Sequence, residues 1–460
     1  VEPFEVQGTW WVPKRKQHLK ATGRLTYTPA GGCSLEVFGK ELDQDTPVYV
    51  PILHGDTESG PMTLIGCVFE RSKADSSSRH AGQVYNCEAV VRGGHVTRNS
   101  LYESAVIKVR HLNGWAQIGR ISMVWGHQVG KSGVGVFYED GQAAHATLTD
   151  GSEVWLSSQR SQSFSGTHAA SVNADRHFRV GFGSPKTLDQ VVDEYVTPLV
   201  NLLTLVVDAP SSLISLQLQP WSRRRVTLRG QYQVGYKVPL LDSAEYSLAH
   251  LATQVIRYDD FDFAKQLPAW FDASAKLRGI HGLLFGLRQA TDMPVHNRYQ
   301  NSITAVEGLH RATHVSRRME FSLNNQEGRA WLATLPEGER SLVKARFSQY
   351  MNDPSLGDRL TELVSKAGVA FSWVVTNPQK WAALVKNTRN DVTHPGEKPR
   401  VEISSSQMSV LAESVALLAS ISFLVDLGFT PVDLQPKLER SVRLKILAQD
   451  MRTLLPKLYA

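Results

Sequence analysis

Apolar and polar residues alternate in short runs over the first half of the chain. From Leu19 to about Phe182 such runs are separated by Gly, Pro, Ser and Asp clusters: Thr22 to Thr28, Ser34 to Phe38, Met62 to Phe69, Val84 to Val91, Ala105 to Val109, Gly133 to Tyr138 and Phe178 to Phe182. Leu25 and Tyr27, then Leu35 and Val37, keep the period of two that places one face of a strand on a core. A helix interrupts the strands at about Leu188 to Val207, and strands return at Ser212 to Gln219 and Arg225 to Val234. After Pro239 the period lengthens to near 3.6, over about 243 to 258, 262 to 290, 295 to 315, 328 to 351, 356 to 368, 378 to 394 and 405 to 428. Helices are predicted throughout that half.

This pattern predicts an α+β chain of two domains: a β-rich domain over 1–240, built as a sandwich or a barrel, and an α-helical bundle over 241–460. A length of 460 residues exceeds what one core usually supports, and 42% hydrophobic with 20% charged residues suits globular domains. The formal charge of +6 is compatible with a polyanionic partner without requiring one. Cys33, Cys67 and Cys87 lie far apart in sequence, an odd total without a Cys-x-x-Cys pair, so neither a disulfide framework nor a zinc knuckle is expected. A reducing, cytoplasmic location follows as an expectation. The apolar runs Leu199 to Val207 and Ser414 to Val425 fall short of the roughly 20 residues of a membrane span, and no membrane association is expected.

Chemistry concentrates in Gln379 to His394, where Trp381, Leu384, Val385 and Val392 form one stripe of an amphipathic helix. Pro395-Gly396 stops it, since proline disfavours α geometry in the residue before it. In the last turn Asn390 and His394 are four apart and share a face; Arg389 lies five before His394, about 140° round the helix. A neutral imidazole can take the proton of a ribose 2′-hydroxyl as that oxygen attacks the adjacent phosphate. Arginine offers a permanently charged fork of donors to the phosphorane oxygens, and Asn390 can orient the imidazole or bond the phosphate. The scheme needs no metal and no cofactor, and leaves a 2′,3′-cyclic phosphate. Spacing alone is weak evidence: Arg120 and His127 satisfy a looser version of it, in a segment where Ile121, Met123 and Trp125 alternate as a strand. The structural alternative for Arg389 and His394 is that of two cations complementing a helix C-terminus.

The Arg-Asn-x-x-x-His run at a helix end, followed by the long apolar stretch Met408 to Leu427, resembles the HEPN superfamily. Gly8-Thr9-Trp10-Trp11-Val12-Pro13, Gly23-Arg24-Leu25-Thr26-Tyr27 and Leu35-Glu36-Val37-Phe38-Gly39 resemble the β-rich N-terminal domain of ApeA-type proteins. The resemblance implies a prokaryotic anti-phage protein acting by abortive infection, with an N-terminal domain that senses or restrains and a HEPN domain that cleaves RNA. It implies a homodimer through the HEPN domain, a phage-derived trigger, and Arg389, Asn390 and His394 as catalytic residues; transfer RNA is one target class that analogy with other HEPN nucleases offers. A related toxin branch carries Tyr two residues after the His, where this chain has Gly396, so control by nucleotide transfer onto that Tyr is not expected. The rival reading is a non-catalytic HEPN module that binds RNA or protein.

Gly130-Lys131-Ser132 copies the tail of a phosphate loop, but Gly126 stands one position too close and a strand follows. Glu307, His310 and His314 share helical spacing without a second Glu-x-x-His, which favours a polar helix face over a metal site. Asp259, Asp260 and Asp262 read as a helix start rather than a magnesium cluster. Among the basic clusters Lys14 to Lys16, Trp221 to Arg225 and Arg311 to Arg318, the last is the best candidate for phosphate contacts, through Arg311, Arg317 and Arg318.

Overall fold

The computed structural model describes residues 2–13, 20–38, 48–73, 82–116, 120–128, 131–139, 143–165, 169–222, 231–236, 254–290, 292–313, 326–350, 354–394 and 399–459. The chain divides into two compact units, Val1–Asp272 and Ala273–Ala460.

In the first unit six antiparallel strands close on themselves. They are β1 (Phe4–Trp11), β2 (Ala21–Thr28), β3 (Gly32–Phe38), β4 (Tyr49–Thr57), β5 (Gly60–Lys73) and β6 (Gly82–Arg92), paired in the cyclic order β1-β2-β3-β6-β5-β4. The pairing of β5 with β6 decides between the two architectures left open by the sequence: this is a barrel. Its inward face carries Val6, Trp10, Leu25, Tyr27, Leu35, Val37, Leu53 and Leu64. Two glycines, Gly23 of β2 and Gly55 of β4, explain how an indole fits inside. A Cβ at Gly55 would stand 2.4 Å from the Trp10 ring and one at Gly23 would stand 3.1 Å from it, so both strands must be bare there. Trp10 is fully buried and donates its indole N–H to the Gly23 carbonyl at 3.3 Å.

The three cysteines, remote in sequence, meet in this barrel. Cys87 on β6 lies in register with Cys33 on β3 and with Cys67 on β5, and all three are buried free thiols. Burial pushes the Cys87 thiol well up, and the two neighbouring thiols add to that.

Beyond the barrel, β7 (Tyr102–Val109), the short helix α1 (Leu112–Trp115), the separate hairpin β8 (Arg120–Gln128) and β9 (Lys131–Glu139), β10 (Ala144–Thr147), β11 (Glu153–Ser165) and β12 (Ala169–Lys186) follow in order. Helix α2 (Leu188–Val191) runs through a π turn at Val192–Val196 into α3 (Thr197–Val207), and β13 (Leu213–Pro220) and β14 (Tyr232–Tyr236) come after it. The sheet order β10-β11-β12-β7-β13-β14 joins the barrel at β6. Thr187 starts the helix with a capping box to Gln190, and its buried side chains fill the core of this unit. Lys131 and Ser132 belong to β9, as part of a hairpin.

The division into units comes later than the change of period near residue 240. The reason is that the chain continues to bind the first unit: Trp115 donates to the Ile256 carbonyl at 2.9 Å, Ile256 N–H to Val206 at 3.0 Å, and Trp270 to Pro198 at 2.8 Å. Of the helix expected at 243 to 258, residues 243–253 lie outside the described residues, and 254–257 are not helical.

The division itself falls within α4 (Phe263–Lys276), and the second unit is helical: α5 (Arg278–Gln289), α6 (Val295–Thr313), α7 (Gln326–Ala333), α8 (Glu337–Tyr350), α9 (Leu356–Ala367), α10 (Val369–Ser372), α11 (Pro378–Thr393), α12 (Ser405–Asp426), α13 (Pro431–Leu438) and α14 (Val442–Leu454). The stretch 262 to 290 breaks at Leu277, and 328 to 351 breaks before Pro336, whose ring admits only the first turn of a helix. Helix α12 is apolar all round, and α6, α9 and α14 pack on it. Leu188–Val207 and Ser405–Asp426 both have the length and apolarity to cross a bilayer, more than the shorter runs suggested; most of their residues are buried inside their own units.

Candidate active site

Helix α11 is fixed at both ends and along one stripe. The Asn377 side chain accepts from Lys380 N–H at 3.0 Å and Pro378 occupies the first turn, a standard helix start. Trp381, Ala382, Val385 and Thr388 are buried, whereas Leu384 and Val392 of the expected stripe are half-buried. Each fully buried large side chain contributes about 1.5–3 kcal/mol. The Trp381 indole also donates to Ser414 Oγ on α12 at 2.9 Å and meets Phe371 edge-on at 5.1 Å. A helix held this firmly presents its last turn in one orientation.

That turn carries the three expected residues. Arg389 and Asn390 are half-buried, and His394 is the exposed residue at which the helix ends, with φ −135° and ψ 70°. Arg389 Nη1 donates to Asn390 Oδ1 at 3.5 Å, so the amide faces the guanidinium; Asn390 is tied to His394 through its carbonyl, which accepts His394 N–H at 2.8 Å. Arg389 Nε is buried and finds no acceptor among the described residues. The His394 imidazole makes no hydrogen bond among the described residues, and Pro395-Gly396 lies outside them.

Two neighbours, Tyr299 and Asp391, were not singled out by the sequence. Tyr299 on α6 is fully buried and donates to the Val385 carbonyl at 2.6 Å. Burial raises its phenol well above the ordinary range, only partly opposed by the Thr388 hydroxyl and the Arg389 charge beside it. Asp391 accepts from Val401 N–H at 3.0 Å and lies 3.9 Å from Arg400, which ties the returning chain to the helix end. A carboxylate in the last helical turn works against the helix dipole and so needs such partners; that was the available signal for Asp391. Tyr299 gave none, because its role depends on which helix α6 meets.

The remaining candidates separate. Arg311 is exposed near the end of α6, while Arg317, Arg318 and His314 lie outside the described residues. His310 is buried and its Nε2 lies 2.9 Å from Glu362 Oε2 on α9, in a pair between helices. Asp262 accepts from Lys265 N–H at 3.2 Å and Asp260 from Arg257 N–H at 3.3 Å, which are turn and helix-start bonds. Lys14 to Lys16 and residues 223–225 lie outside the described residues. Arg120 and His127 sit on β8, opposite Glu139 and Ser132.

Comparison with known families gives two matches. Residues 5–224 match the family described as ApeA N-terminal domain 1, and residues 300–433 match the family described as Apea-like HEPN. The second span includes Arg389, Asn390 and His394. No curated protein matches the chain. No solved structure matches it.

Proposed function

This chain is an ApeA-like anti-phage protein with a C-terminal HEPN domain, and from that premise we propose that it is a metal-independent endoribonuclease acting in abortive infection. His394 takes the proton from a ribose 2′-hydroxyl and, as an acid, returns one to the leaving 5′-oxygen. Arg389 holds the negative charge that grows on the phosphorane, and Asn390 fixes the guanidinium. The bond formed is 2′-O to phosphorus, the bond broken is phosphorus to 5′-O, and the product is a 2′,3′-cyclic phosphate.

The observation that carries this reading is the state of Arg389. Its Nε–H is buried without an acceptor among the described residues, which leaves a charged donor available to a phosphate oxygen. The same helix ends at His394, which is exposed and whose imidazole makes no hydrogen bond among the described residues. The partners proposed are RNA, transfer RNA among its classes, a second copy of the chain through the HEPN unit, and a phage-derived trigger met by the β-rich unit; the location proposed is the cytoplasm.

Binding and cutting measured side by side test the roles. His394→Ala is expected to lower the single-turnover cleavage rate about 10²–10⁴-fold while RNA affinity changes less than about threefold. Equal loss of both, or of neither, would instead support a module that only binds.

A further inference from the structure

We propose that Tyr299 is a positioning residue for Arg389; this rests on the reading of Arg389 as the phosphate-stabilising group. In α11 the Val385 carbonyl is the helical acceptor for the Arg389 N–H, four residues on. A carbonyl has two lone pairs, and the second one receives the Tyr299 hydroxyl at 2.6 Å. The phenol is therefore seated on the same peptide group that fixes the Arg389 backbone. Tyr299 is wholly buried and Thr388 nearly so, and the Thr388 hydroxyl and the Arg389 charge both act on the Tyr299 phenol. Tyr299 stands one residue before the span that matches the HEPN family.

A buried phenol needs an acceptor for its hydroxyl, and here it takes the remaining lone pair of an interior helical carbonyl on a different helix. Seated there, the hydroxyl sets the rotation of the last two turns of α11 relative to α6. Arg389 projects from those turns with Nε buried and Nη1 directed to Asn390. A shift of about 1 Å at a group that stabilises a transition state can cost about 10²-fold in rate, whereas ground-state binding of a long RNA through many contacts barely changes.

The test compares two phenols in the full-length protein. Tyr459 also seats its hydroxyl on a backbone carbonyl, that of Val374, away from the Arg389 turn, so Tyr459→Phe reports what losing such a bond does to stability alone. Tyr299→Phe is expected to lower kcat about 10–100-fold with KM within about twofold, while Tyr459→Phe changes neither by more than about twofold. Hydrogen exchange at Arg389 Nε–H, followed by NMR, is expected to quicken in Tyr299→Phe and to stay unchanged in Tyr459→Phe. Unchanged kcat, or a fall matched by the loss of folded protein in both variants, overturns the proposal. If the wild type cuts no RNA, the functional reading fails on its own, and the exchange rate alone then decides: no change at Arg389 in Tyr299→Phe overturns the positioning role as well.

Discussion

Asp391 occupies the end of α11 where the helix dipole disfavours a negative charge, and it is held there by Val401 N–H and by Arg400. Hydrogen bonds to a charged group are worth about 1.5–3 kcal/mol when partly buried, discounted here because Arg400 is half exposed. Asp391→Ala is therefore expected to destabilise the helical unit by about 1–2 kcal/mol and to lower cleavage by loosening the segment that carries His394; chemical denaturation together with rate measurement checks it, and full stability with full activity would contradict it. The cysteines make a second residue-scale case. Far apart along the chain, they gave no sign of contact, because only strand register brings Cys33 and Cys67 to the two sides of Cys87. All three thiols are buried, and structural thiols shielded from reagent are inert. None of the three is expected to react with iodoacetamide at pH 8 in the folded protein, and all three are expected to react in denaturant; labelling of any one without unfolding would show the barrel to be open.

At the scale of elements, legibility follows locality. The site helix was readable because its apolar stripe, its proline start and its terminal residues all lie within one stretch of sequence. Strands β4 and β11 were not. Pro51 and Gly55 in β4 read as turn residues, yet Gly55 is there to admit the Trp10 indole. The later half of β11 pairs with β12 and no other strand among the described residues, so no buried face imposes alternation on it. Between helices, His281 of α5 packs edge-on against Phe285 and against Phe423 of α12. Burial lowers its pKa from the ordinary 6.5 to about 4. Between those values the unfolded chain binds a proton that the folded chain refuses. The stability due to a neutral His281 is complete above pH 6.5 and is lost as pH falls toward 4, on the order of 3 kcal/mol over the whole window. Comparing wild type with His281→Leu by thermal denaturation from pH 7 to pH 4.5 is expected to show a steeper fall for the wild type; parallel curves would mean that His281 is hydrated in the folded state.

The whole molecule joins a closed β-barrel and its attached sheet to a helical unit with the proposed cutting site at one helix end. Whether the architecture was sandwich or barrel depended on the pairing of β5 with β6 and of β3 with β6 across the barrel, a non-local fact that no period along the chain encodes. Dimerisation through the helical unit predicts a solution mass of twice 51.0 kDa by light scattering, against a single copy if the HEPN surface is unpaired. The most direct test of the account is to incubate wild-type and Arg389→Ala protein with total RNA in EDTA, alone and in extract from phage-infected cells, and to map the new RNA ends. Cleavage by the wild type alone, leaving 2′,3′-cyclic phosphate ends, is the predicted result. Intact RNA in both settings, or equal cleavage by Arg389→Ala, would contradict the assignment of this helix end as a ribonuclease site.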